Sequence, residues 1–248
     1  MRARTFGAFV CALSYCATHG AEARAESATT SSTTWSSDAP RWFAATATAP
    51  EVVVYPPRDG VSAPHPVTVL LHGMCDVPEN ECPWFANVVA RDSWLVCPRG
   101  PLRCASGGAT WGYEHRSALI DAAIGRVEEE FPGRVAAGTA DTLIGFSLGA
   151  FVAMDVVNRS PARWARVVLL GAKIAPDTRA LLHGATRFVL GAGDFDMSHS
   201  HMELVARHLR AAGVDATYSS LGRVGHRFAD DMDGWLAAAL APREREAE

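Results

Sequence analysis

The run Gly145-Phe146-Ser147-Leu148-Gly149 combines residue types that can turn a serine hydroxyl into a nucleophile. It follows a strand-like stretch at 141–146 and opens a helix-like stretch at 148–158. On such a strand-to-helix turn the serine sits in a strained backbone conformation, and the positions two before and two after it must be small to avoid collision. Gly145 and Gly149 meet that demand. The helix N-terminus that follows favours negative charge at the site. The chemistry predicted is attack of the Ser147 oxygen on a carbonyl carbon. That requires a base, an acid to orient the base, and donors for the oxygen that becomes negative.

His226 is best placed as the base. Residues 216–221 read as a last strand, 222–225 as a loop and 228–240 as a final amphipathic helix, so this histidine can reach back over the sheet edge. His65, His72, His115, His183, His199, His201 and His208 have no comparable position. The acid is expected after the preceding strand, where Gly193-Asp194-Phe195-Asp196 offers two carboxylates, each with a glycine three residues before it. Asp196 is favoured over Asp194 because it lies further into the loop and can turn toward His226, leaving Asp194 to cap the turn. The chain order Ser, Asp, His supports the set.

Donors are expected from two backbone N–H groups. The strand-like 67–71 runs into His72-Gly73-Met74-Cys75, and a turn at Gly73 would let the Met74 N–H join that of Leu148 as an oxyanion hole. His72 reads as a residue that holds this loop. Trp84, Trp111, Tyr113, Met74 and Phe146 are candidates to line a pocket, although aromatics at these spacings are more often core, and only Met74 and Phe146 flank the hole and the serine. A competing metal constellation, Asp194, Asp196, His199, His201 and Glu203, is disfavoured because His201 begins a helical stretch, where residues two apart point to different sides.

These residues need a scaffold that brings distant loops together. Strand-length apolar runs at 51–55, 66–71, 94–97, 141–146, 165–170, 187–191 and 216–221 alternate with helical stretches at 83–91, 114–131, 148–158, 201–212 and 228–240. That alternation predicts an α/β fold, a mostly parallel central sheet flanked by helices. The segment between Gly171 and Arg187 is too short for a large lid, which implies an open cleft. The domain is expected over 41–242, with a charged tail at 243–248.

The 248 residues, 48% apolar and 20% charged, supply one sizeable core. A net charge of −4 with scattered arginines argues against nucleic acid as a partner. Arg2 and Arg4, an apolar run at 6–17 and the small residues up to Ala23 read as a signal peptide, 1–23. Its apolar run is shorter than the roughly 20 residues that span a bilayer, and no later stretch reaches that length, so no transmembrane segment is expected. A rival reading takes Leu13-Ser14-Tyr15-Cys16 as a lipidation box, but Tyr15 is bulky for one. Residues 24–40, rich in Ser and Thr, read as a flexible linker. Export to a periplasmic or secreted location would leave Cys75, Cys82, Cys97 and Cys104 in an oxidising compartment. Local pairing, Cys75 with Cys82 and Cys97 with Cys104, is favoured because each bridge closes a short loop without crossing a strand. Free thiols are the alternative, and the spacing does not suit a zinc knuckle.

The serine turn, Leu71-His72-Gly73, Gly193-Asp194-Phe195-Asp196 and Gly225-His226 together resemble the α/β-hydrolase superfamily. Within it, the chain is similar to the small carboxylesterase, dienelactone-hydrolase and acyl-thioesterase group. The resemblance covers about residues 50–240 and implies a cofactor-free serine hydrolase acting on a small-molecule ester or thioester through Ser147, His226 and Asp196. Met74 and Cys75 depart from it, standing where many esterases have further glycines. A hydrolase-fold binding protein without catalysis, or a peptidase on the same fold, are the other readings.

Overall fold

The computed structural model describes residues 39–60, 62–136, 138, 141–182 and 186–242. The expected signal peptide, the linker up to residue 38, Cys16 and the tail at 243–248 lie outside them. The described residues fall in one unit, Ser36–Glu248.

The apolar runs form strands because residues that alternate sides of a pleated strand can be buried on both faces when helices cover the sheet. The strands are β1 (Arg41–Phe43), β2 (Val52–Tyr55), β3 (Val67–Leu71), β4 (Trp94–Pro98), β5 (Leu102–Arg103), β6 (Ala109–Thr110), β7 (Thr142–Phe146), β8 (Arg166–Leu170), β9 (Arg187–Ala192) and β10 (Ala216–Ser220). The main sheet has the order β1-β2-β4-β3-β7-β8-β9-β10, and β5 pairs with β6 in a separate hairpin. From β4 to β10 neighbouring strands are parallel, whereas β2 is antiparallel to β4 and β1 to β2. The short β1, β5 and β6 carry no strand-length apolar run in the sequence.

The helices are α1 (Pro78–Glu81), α2 (Pro83–Val89), α3 (Arg116–Glu130), α4 (Leu148–Arg159), α5 (Thr178–Leu181), α6 (His199–Ala211) and α7 (Met232–Leu240). Alternation along the strands divides the core in two. Val69, Leu143, Val167 and Leu169 pack with Ile120 of α3, Val152 and Val156 of α4 and Leu209 of α6. Leu70, Ile144, Val168 and Val189 pack with Phe85 of α2 and Leu236 of α7 on the opposite face. The final helix starts at Met232 and not at 228, because Phe228 and Ala229 are buried in the preceding turn and Asp231 caps the helix through Gly234 N–H. Between β8 and β9 the described chain forms only the short α5, with no lid domain among the described residues. No helix among them is long and apolar enough to cross a membrane.

The cysteine pairing corrects the local one. The bonds are Cys75–Cys104 and Cys82–Cys97, with Cα atoms 5.5 and 6.3 Å apart. Helix α1 carries the chain away from Cys75 and delivers Cys82 into the core face of the sheet, where Cys97 of β4 also lies. The β5–β6 hairpin meanwhile folds back on the loop after β3. Ala109 N–H donates to the Asp76 carbonyl at 2.9 Å, and Gly108 has no side chain to hold the hairpin off the Cys75 carbonyl. Proximity across the sheet edge decides the pairing, not separation along the chain.

Candidate active site

The chain turns back across the sheet after β4, so β3 and β7 are neighbours whose outgoing connections leave in opposite directions. Parallel strands put their carboxyl ends on one edge, and a crevice opens at such a reversal. Gly73 and Ser147 follow β3 and β7 there, and the loops after β9 and β10 bring Asp196 and His226 to the same edge.

Ser147 stands between β7 and α4 with φ 53° and ψ −116°, a left-handed conformation that a non-glycine residue adopts only under constraint. The flanking glycines are sterically required: a Cβ on Gly145 would collide with the Gly149 backbone, and one on Gly149 with the Leu71 carbonyl. Ser147 N–H donates to the Leu170 carbonyl at 2.8 Å, which ties the turn to β8.

His226 Nε2 lies 2.9 Å from Ser147 Oγ, and its Nδ1 lies 2.7 Å from Asp196 Oδ2. The other carboxylate oxygen of Asp196 accepts from the Ser198 N–H at 2.7 Å and the Ser198 hydroxyl at 2.8 Å. Burial alone would raise this carboxyl's pKa; the Ser198 N–H, the His226 side chain, the Ser198 hydroxyl and the His226 charge outweigh burial and hold it below the ordinary value. An ionised Asp196 therefore fixes the proton on His226 Nδ1 and leaves Nε2 as acceptor for the Ser147 hydroxyl. Asp194 is exposed and accepts a hydrogen bond from the Ser220 hydroxyl.

The imidazole is held from below. The Phe146 ring stacks on it at 5.0 Å between centroids and 28° between planes, and Phe228 packs on Phe146 at 4.6 Å. Phe146 is thus a support for His226. Gly171, after β8, has φ +62°, and a Cβ there would stand 3.2 Å from His226 Cε1.

The loop after β3 is fixed on several sides. Buried His72 accepts from Gly100 N–H through Nε2 at 2.9 Å, so its proton is on Nδ1, which donates to the Gly73 carbonyl at 2.8 Å. Burial lowers the His72 pKa, in keeping with a neutral ring. Trp111 Nε1 donates to the His72 carbonyl at 2.8 Å, so this tryptophan is a brace inside the loop. Gly73 N–H donates to Glu81 Oε1 at 2.8 Å. Cys75 has φ 57°, a strained value retained between the disulfide to Cys104 and the hairpin backbone. Among the described residues, the N–H groups of Met74 and Leu148 have no hydrogen-bond partner.

Among the other expected wall residues, Trp84 packs on Phe228 with its outer face exposed, and Tyr113 is exposed beside Arg116. Met74 is also exposed. The acidic and histidine residues near α6 diverge: His199 meets the Tyr218 hydroxyl at 2.8 Å, and His201 Nε2 meets the Ile174 carbonyl at 2.8 Å. A cavity of ≈ 890 Å³ is lined by Arg99, Arg103, Cys104 and Leu119, and not by Ser147 or His226.

Three contributors are not marked by any motif in the sequence. Ser198 lies two residues past a loop aspartate, Gly171 follows an apolar strand, and Glu81 sits in the polar run Pro78-Glu79-Asn80-Glu81. Only Gly171, a glycine closing a buried strand next to a strand-end site, bore a hint in its residue type.

No protein-family model matches the sequence, and no curated protein matches it at a significant level. Solved structures do. Esterase PE8 is 21% identical over 75% of this chain and 94% of its own, with a TM-score of 0.59. FphF, a fluorophosphonate-binding serine hydrolase of Staphylococcus aureus, is 13% identical over 81% and 95%, with a TM-score of 0.59. An S-formylglutathione hydrolase of Agrobacterium tumefaciens is 17% identical over 82% and 95%, with a TM-score of 0.55. At these identities the likeness is one of fold.

Proposed function

We propose that this chain, which has the α/β-hydrolase fold, is a serine hydrolase that cleaves a small carboxylic ester or thioester through Ser147, His226 and Asp196. The observation that carries this reading is the continuous chain of contacts from Ser147 Oγ to His226 at 2.9 Å and on to Asp196 at 2.7 Å. Unactivated serine is a weak nucleophile, and an imidazole already in hydrogen-bond reach removes that barrier. His226 takes the Ser147 proton as Oγ attacks the carbonyl carbon. Asp196 holds the productive tautomer and balances the imidazolium charge. The oxygen that becomes negative is received by the Met74 and Leu148 N–H groups. His226 then protonates the departing alkoxide or thiolate, and water attacks the acyl-enzyme with His226 again as base. The thioester option follows the likeness to S-formylglutathione hydrolases.

Location forms part of the proposal. The signal-like residues 1–23 and the two disulfides fit an exported protein, because such bonds persist in oxidising compartments.

A panel of p-nitrophenyl esters, acyl thioesters and peptide amides tests the reading. Saturable turnover of esters or thioesters, with peptides untouched, is the expected outcome. Turnover of peptides alone would make the chain a peptidase, and binding without turnover a non-catalytic member of the fold.

A further inference from the structure

Glu81 is a carboxyl with an unusual address. It ends the single turn of α1, is 2% exposed, and holds Gly73 N–H through Oε1 while its Oε2 is buried without a hydrogen-bond partner. The point where a Gly73 Cβ would stand is 3.2 Å from Glu81 Oε1 and 3.5 Å from Ser147 Cβ. A buried charge is costly unless it is fully paired, so one N–H bond does not account for an ionised carboxylate here.

The two peptide planes that meet at Gly73 are each fixed by one side chain. Glu81 holds the plane before it through the Gly73 N–H, and His72 holds the plane after it through the Gly73 carbonyl. Because a peptide is planar and trans, fixing the Gly73 carbonyl also aims the Met74 N–H, which belongs to the same plane. We propose that Glu81 is a positioning residue for the reaction at Ser147, acting in its uncharged form: it anchors Gly73 so that the Met74 N–H meets the oxyanion, and adds no negative charge beside it. This rests on the serine-hydrolase reading above.

Its surroundings favour the neutral acid. Burial, reinforced by the charge and proximity of Asp76 and opposed by the Gly73 N–H, pushes the Glu81 carboxyl up to about 8. Asp76 lies on the loop after β3, with Oδ1 engaged by Val77 N–H and Asn80 Nδ2. His72, on the same loop, is occupied by Gly73 and Gly100. Glu79 of α1 pairs with Arg99 after β4, which also binds Glu51, and α2 carries no titratable side chain. No cation among these groups reaches Glu81 to stabilise its anion. Above pH 8 the carboxylate forms and opposes the negative charge of the tetrahedral intermediate.

The test compares wild type, Glu81→Gln and Glu81→Ala on one p-nitrophenyl ester between pH 6 and 9.5, after fluorophosphonate labelling of the wild type. Losing one oxyanion donor costs roughly 10²–10³ in kcat, so a misaimed donor in Glu81→Ala should cost about 10- to 100-fold in kcat with KM within about threefold. Glu81→Gln keeps the neutral acceptor: it should restore kcat to within about threefold at pH 7 and lose the alkaline fall of the wild type near pH 8. Unchanged kcat in Glu81→Ala, or the same alkaline limb in wild type and Glu81→Gln, overturns the proposal. If Glu81→Ala does not fold, the comparison of the wild-type and Gln pH profiles decides alone. A wild type that is not labelled at Ser147 removes the underlying function and this role with it, whereas labelling with indifferent Glu81 variants removes this role only.

Discussion

Asp196 Oδ2 stands 2.7 Å from His226 Nδ1, while Asp194, two residues earlier, turns its carboxylate to the Ser220 hydroxyl. Removing the acid that holds a catalytic histidine costs roughly 10⁴ in kcat, because the tautomer is lost with it. Asp196→Asn should show that loss, and Asp194→Asn should keep kcat within a few-fold while losing about 1 kcal/mol of stability with its hydrogen bond. Steady-state kinetics of both variants, with denaturant melts alongside, check the assignment; the reverse pattern would exchange the two roles.

Glu81 should leave a signature in stability against pH. Its folded-state value of about 8 lies above the ordinary 4.5, so the folded protein binds a proton that the unfolded chain has released. The associated stability is complete below pH 4.5 and lost as pH rises toward 8. At 1.36 kcal/mol per pKa unit the full loss is on the order of 5 kcal/mol. Asp196 acts in the opposite sense: its depressed value contributes stability above the ordinary carboxylate range that disappears as acid is added. Thermal melts from pH 4.5 to 8.5 should show wild type losing stability relative to Glu81→Gln. Parallel curves for the two would mean that Glu81 is ionised in the fold.

The two disulfides should differ in reducibility. Cys75 is exposed, whereas Cys82 and Cys97 are buried. Mild reductant should open Cys75–Cys104 first and lower kcat about tenfold or more before the protein unfolds, because the strained loop carrying Met74 is then free to relax. Loss of Cys82–Cys97, 15 residues apart, should instead cost about 3 kcal/mol of stability by the chain-entropy account. Peptide mapping without reduction should return these two links, and a Cys75–Cys82 peptide would contradict the arrangement.

Gly171→Ala should damage the reaction without removing any polar group of the site. At φ +62° an L-residue costs about 1–2 kcal/mol, and the new methyl would press on the His226 ring. A displaced base loses alignment with Ser147, and a 1 Å error can cost roughly 10² in rate. A kcat lower by about 10- to 100-fold, with the melting temperature reduced by a few degrees, is the expected result; wild-type kcat would show that the ring has room to give.

Local sterics made part of this site legible in the sequence. Gly145 and Gly149 announce Ser147 because the turn admits nothing larger, and His226 follows from its place just past the last strand. The parallel strands were legible as apolar runs because both faces are covered. Relations set by the return of the chain over the sheet edge left no such mark. The choice of Asp196 depends on the Ser198 contacts, the cysteine pairing on the hairpin at Gly108, and the role of Glu81 on burial of a turn whose residues look solvated. Phe146 was legible as a neighbour of Ser147 but not as the platform for His226, which requires the last loop to be in place.

The claim on which all of this depends is that Ser147 is the nucleophile. Intact-mass and peptide analysis after fluorophosphonate treatment should find one adduct on the peptide containing Ser147. Ser147→Ala, folded as the wild type, should take up none and lose roughly 10⁴–10⁶ in kcat. An adduct on another residue, or ester turnover undiminished in Ser147→Ala, would contradict the account.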